Sequence, residues 1–155
     1  TGAGFSANET GIAVTYDGEK IKTYVNGVFQ SEANTTGKIC TNDAPFKVGR
    51  RMWGDGEPYE GIVDEVRVSS IVRYKGNFDI PTRAFSPDEH TAILLHFDEG
   101  SGTKTQDASR NGNHGTLEGG ARFVDAEAPI SPVAVESTGV LTTAWGMIKA
   151  SGASL

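Results

Sequence analysis

With one cysteine, Cys40, the chain cannot form an internal disulfide, so its stability must come from apolar burial, hydrogen bonds or a bound ion. Positive charge is also scarce. Fourteen Lys and Arg stand against 20 Asp and Glu, for a formal net charge of −6 and a pI near 5.0. Phosphate backbones are bound by clustered Lys and Arg, so nucleic acid is excluded as the expected partner. No apolar run approaches the roughly 20 residues of a membrane helix, and no membrane insertion is expected. Residues 1–10 carry neither a basic stretch nor an apolar segment, so no signal peptide is read there. What the chain has in quantity is glycine, 20 residues with six prolines among 155. This composition suits short strands joined by turns, a sandwich or barrel and not a helical bundle. The length suffices for one domain with a core of its own.

Ile12, Val14 and Tyr16 alternate with Ala13 and Thr15 before Asp17-Gly18, and Ile21, Thr23 and Val25 alternate before Asn26-Gly27 and Val28-Phe29. Asp-Gly and Asn-Gly between alternating runs predict a three-stranded antiparallel meander over residues 11–32, because both turns need φ > 0. Further strands are predicted at 45–50, 62–69, 92–97 and 121–124. Residues 52–60 and 100–115 are turn-rich loops, and 73–87 is an extended crossing segment. A body over residues 1–128 is followed by a Pro-containing linker and tail, 129–155. In that tail, residues 140–150 lean slightly to a helix over an added strand, from Trp145 and Ile148 at i, i+3.

Three blocks, Ile12-Ala13-Val14-Thr15-Tyr16-Asp17-Gly18, Tyr24-Val25-Asn26-Gly27 and Ile62-Val63-Asp64-Glu65-Val66-Arg67-Val68, resemble the closing half of the laminin-G-like, concanavalin A-like lectin-glucanase domain. Two more, Leu94-Leu95-His96-Phe97-Asp98-Glu99-Gly100-Ser101-Gly102 and the run from Asp107 through Asn111-Gly112-Asn113-His114-Gly115 to Leu117, resemble its opening segment. The resemblance spans about residues 11–124 and runs in inverted order. Glu9-Thr10-Gly11 also replaces the aromatic-histidine pair that usually precedes the first block. It implies an antiparallel β-sandwich of jelly-roll type, permuted or incomplete. Since first and last strands of the family are sheet neighbours, it further implies pairing of 92–97 with 62–69.

Asp64 shares a face with Ile62, Val66 and Val68, so strict alternation aims a carboxylate at the core. Such a group must be paired, hydrogen-bonded or metal-bound. The loop from Asp107 to Glu118 places oxygens at Asp107, Ser109, Asn111 and Asn113, as a hard cation requires. Its spacing approaches an EF-hand, but non-helical flanks and His114 reject that reading. Asp107, Asn111, Asp64 and Ser109 are therefore the candidate calcium ligands, and the resemblance supports calcium because many relatives hold one near this motif. The competing reading is a surface turn held by Asx-type hydrogen bonds. Trp53 and Tyr59, with Asp55, form a candidate ligand-binding rim, since aromatics with a polar edge suit sugars.

No catalytic set is found. Glu60, Asp64 and Glu65 do not reproduce the alternating acids of hydrolases on this fold, and neighbouring strand residues face opposite ways. His90, His96 and His114 lack metal-ligand spacing, no Gly-x-Ser-x-Gly elbow occurs, and Cys40 lacks a nucleophile signature. The expectation is a non-catalytic, calcium-stabilised module of a larger extracellular or cell-surface protein, binding glycan or protein. The alternative is an adhesion repeat without a small ligand that forms homo-oligomers or tandem contacts through exposed strands. A glycoside hydrolase is the least favoured reading.

Overall fold

A computed structural model describes residues 9–50 and 58–124 together with the backbone of 146–149. The first three strands, β1 (Glu9–Tyr16), β2 (Lys20–Val25) and β3 (Val28–Asn34), form the expected meander. Its turns depend on Gly18 at φ 97° and on Asn26 and Gly27 at 49° and 75°. Asp17 Oδ1 holds the first turn by accepting the N–H groups of Glu19 at 2.9 Å and Lys20 at 2.7 Å. Asn26 Oδ1 holds the second by accepting Gly11 N–H at 2.8 Å.

Gly27 has a tertiary duty as well. Its carbonyl accepts the N–H of Phe78 at 2.9 Å, and an added Cβ would overlap the Phe78 carbonyl oxygen. Gly27→Ala should therefore cost about 2–3 kcal/mol, joining left-handed strain to the lost close approach. Gly18→Ala, with φ positive but no neighbour within 4 Å, should cost only about 1 kcal/mol. Chemical denaturation of the two variants checks the difference.

The meander belongs to a five-stranded antiparallel sheet ordered β3-β2-β1-β9-β4, in which β4 is Ile62–Val63 and β9 is Gly146–Lys149. Residues 146–149 are thus strand, against the lean to helix. Glu9 opposes Lys149 on one side and Ile62 opposes Lys149 on the other, so two strand edges supply the hydrogen bonds that a short isolated helix cannot secure. Trp145 lies outside the described residues.

The predicted strand at 62–69 is two strands. β4 ends at Val63 and β5 (Val66–Ser69) enters a second sheet, with Asp64 and Glu65 as the break. β5 pairs antiparallel with β6 (Thr91–Leu95), Val66 opposite Leu95 and Val68 opposite Ile93, as the inverted blocks implied. A small ribbon, β7 (Lys104–Thr105) with β8 (Gly115–Thr116), lies within the stretch expected to be only turns. Residues 45–50 form no strand: Arg50 makes one bridge to Pro58, and Phe46 is 52% exposed. Residues 121–124 form none either, because Ala121 N–H closes a turn onto the Glu118 carbonyl. There is no helix among the described residues, and every ladder is antiparallel, so the all-β expectation holds.

Burial centres on Ala13, Val14, Tyr24, Val66, Leu94 and Leu95. The crossing segment lies over Tyr24. Phe78 meets that ring edge-on at 5.6 Å and stacks on Tyr74 at 3.6 Å. Aromatic pairs of this kind add about 1 kcal/mol each beyond area burial. They place residues 74–85 along the meander and leave a groove beside β1.

Candidate functional site

Asp107 is 7% exposed and bridges to Leu95, so the loop after β7 begins against β6. Its Oδ1 accepts the N–H groups of Leu94 and Ser109, each at 2.9 Å. Its Oδ2 accepts the Ser109 hydroxyl at 2.7 Å and Asn113 N–H at 2.8 Å. The Asn111 amide donates to the Thr91 and Ala92 carbonyls at 3.0 and 3.1 Å, and the Asn113 amide to Ala92 at 3.0 Å. Burial pushes the Asp107 carboxyl up, but the Ser109 hydroxyl and the three N–H donors outweigh it and hold the group below its ordinary value.

Three of the four residues expected to bind calcium, Asp107, Ser109 and Asn111, thus do come together. Asp64 lies half-buried at the break between β4 and β5. As arranged, the set does not fit a cation. Both Asp107 oxygens are taken by protein donors, and the two asparagines present N–H groups where oxygens would be required. Among the described residues no three His, Cys or acidic side chains converge on a metal position. The hydrogen-bonded turn is the arrangement present.

The carboxylate that does enter the core is Glu65, at 3% exposure. Alternation does not hold across the break after Val63, so the buried acid is Glu65 and not Asp64, while Val66 is buried as expected. Glu65 Oε1 accepts His96 Nδ1 at 2.6 Å and Phe85 N–H at 2.9 Å. One oxygen therefore ties β5 to β6 and to the crossing segment. Burial raises the Glu65 carboxyl above its ordinary value, against the opposing pull of Phe85 N–H and His96.

Arg67, two residues on, lies with its guanidinium 3.8 Å from the centre of the Phe85 ring and donates to the Tyr74 hydroxyl at 3.0 Å. Among the described residues no carboxylate is in ion-pair reach of it. Arg73 differs: Asp88 takes two of its donors at 2.8 and 2.6 Å, and Arg73 in turn holds the Asp88 carboxyl far below the usual range. Both arginines line a groove of about 500 Å³ between β1 and the stretch from β5 through Phe85, where, among the described residues, Asp17 is the only carboxylate on the wall. Sequence reasoning missed this groove.

Of the candidate rim, Tyr59 is described and Trp53 and Asp55 lie outside the described residues. Tyr59 is 40% exposed. Its N–H donates to the Gly49 carbonyl at 2.7 Å, and the Arg50–Pro58 bridge beside it draws together the two ends of the loop that carries Trp53 and Asp55.

Compared with known families, residues 1–75 match the one described as the concanavalin A-like lectin/glucanases superfamily. No curated protein and no solved structure matches the chain.

Proposed function

Residues 1–75 match the family model of the concanavalin A-like lectin/glucanases superfamily, and from that premise we propose that this chain is a non-catalytic recognition module for glycan or protein, part of a larger secreted or cell-surface protein. The disposition of the carboxylates carries the reading. Glu65 and Asp107 are buried and spent on internal donors, and among the described residues the groove wall offers Asp17 alone. Glycoside hydrolysis needs two carboxyl groups facing each other across the bond to be cleaved. The exposed Tyr59, next to the Arg50–Pro58 bridge, supports a recognition rim, since a polar-edged ring stacks on a sugar or fills a partner's pocket.

A glycan array probed with the chain tests the proposal. Binding should fall about tenfold or more in Trp53→Ala and in Tyr59→Ala, the usual cost of losing an aromatic anchor. Release of reducing ends from any arrayed polysaccharide would overturn the non-catalytic reading. Array hits indifferent to both substitutions would overturn the rim. One observation favours a second reading, a self-associating adhesion repeat: β3 is an edge strand exposed along its whole length, with Val28 at 52% and Phe29 at 41%. Unpaired edges of that kind recruit further strands. A single monomeric species on sizing would dismiss it.

A further inference from the structure

We propose that Asn34, in the run Asn34-Thr35-Thr36, is an acceptor for an N-linked oligosaccharide. An asparagine with a hydroxyl residue two positions on, and no proline between, is the pattern read in oligosaccharide transfer to protein. The sequence holds that pattern twice, at Asn8 and at Asn34, and the pattern by itself decides nothing. The state of the side chains does.

Five of the six asparagines among the described residues are committed to the fold. Asn26, Asn42 and Asn77 accept backbone N–H groups with their Oδ1 atoms, and the amides of Asn111 and Asn113 donate to the Ala92 carbonyl. Asparagine beside a turn ordinarily closes onto neighbouring backbone in this way. Asn34 alone makes no side-chain hydrogen bond among the described residues, and it is exposed. The Thr36 hydroxyl is likewise without a partner there, on an exposed residue.

The backbone that carries these two side chains is nevertheless fixed. Thr35 N–H donates to the Glu19 carbonyl at 2.8 Å, and Gly37 N–H to the Gly18 carbonyl at 3.2 Å. Lys20, opposite Asn34 on β2, has its ammonium on Glu32 at 2.8 Å. β3 is the outer strand of its sheet, and every residue from 28 to 47 is exposed, so a bulky polar branch at Asn34 displaces nothing buried. At the other run, Asn8 lies outside the described residues, and Thr10 is half-buried in β1 opposite Ile148.

The transfer joins Asn34 Nδ2 to the anomeric carbon of an oligosaccharide carried on a polyprenyl diphosphate. The bond from that carbon to the diphosphate oxygen breaks, the lipid diphosphate leaves with the electron pair, and the carboxamide gives up one proton. No oxidant or reductant is consumed. Exported chains are the ones that meet such a donor, so this assignment rests on the secreted reading above.

Translation of the 155-residue chain behind a cleavable signal peptide, into microsomes that hold the lipid-linked oligosaccharide, tests it. The protected product should lose one glycan in Asn34→Gln and in Thr36→Ala, and keep it in Thr36→Ser. Amidase release of the glycan in heavy-oxygen water should mark position 34 with the isotope. A protected native chain without a glycan would overturn the proposal, and so would an Asn34→Gln product with as many glycans as the native chain. Isotope mapping needs no variant, so it decides the matter if a substituted chain fails to fold. Failure of the secreted reading shows elsewhere, as intracellular residence of the native protein on cell fractionation, and leaves transfer in microsomes untouched.

Discussion

Asp107→Ala is expected to lower the stability of the native state by about 3–5 kcal/mol in chemical denaturation, among the largest effects of any single substitution in this chain. The carboxylate serves four donors at once, and three of them are backbone N–H groups. Each buried donor left without a partner costs about 1–3 kcal/mol, although partial opening to water returns some of that. Asp107→Asn keeps one acceptor oxygen and should cost less, about 1–2 kcal/mol. The pH dependence separates charge from shape. The folded carboxyl lies below its unfolded value, so its stabilisation is complete above the unfolded pKa of about 4 and is lost as pH falls through the lower folded value. Asp107→Asn should lack that acid limb. Calcium should matter little to either protein. With both Asp107 oxygens occupied by N–H and O–H groups, adding calcium or chelating it should leave the melting temperature unchanged. A rise of several degrees with calcium would mean that the turn opens to receive the ion.

That turn was legible only in part. The spacing of Asp107, Ser109, Asn111 and Asn113 marks a loop rich in polar atoms, but composition does not tell whether an asparagine turns its oxygen or its nitrogen inward. The carbonyls of Thr91 and Ala92 decide it, and they arrive from a strand some 20 residues earlier. Local features were easier to read. Asp17-Gly18 and Asn26-Gly27 define their hairpins because the demand for positive φ is met within the turn itself. Pairing of 62–69 with 92–97 came through because its two blocks carry specific motifs, and its register bears that out. Alternation failed at one point, the break between Val63 and Val66. The interruption buries Glu65 in place of Asp64 while Val66 stays in the core as alternation expects, and nothing in the local pattern announces it. The insertion of β9 between β1 and β4 was equally hidden, since such a pairing depends on strand edges left open elsewhere in the fold. The groove beside β1 follows from the same non-local events, which is why its arginine drew no notice in the sequence.

Glu65 is the other position where one substitution should have a large effect, and the direction depends on what replaces it. Glu65→Ala removes the acceptor shared by His96 and Phe85 N–H and should cost about 3–5 kcal/mol, the usual penalty for breaking a buried ionisable pair from one side. Glu65→Gln retains an oxygen for Phe85 N–H and removes the buried charge, so at neutral pH it should be close to neutral in effect or stabilising. The pH profile gives the sign. Burial raises the folded carboxyl above its unfolded value, so the stability associated with Glu65 is complete below the unfolded pKa of about 4.3 and declines as pH rises through the folded value. Relative to the native protein, Glu65→Gln should therefore gain stability as pH rises from the unfolded value towards the higher folded one, with a slope of at most about 1.4 kcal/mol per pH unit. The depressed carboxyls of Asp88 and Asp107 run the opposite way. They are common to both proteins and cancel in the difference. Urea denaturation of the pair at a series of pH values measures that difference directly. A flat profile would mean that the His96 contact, and not burial, governs the carboxylate, and the crossing segment would then be held to β5 by an ordinary ion pair.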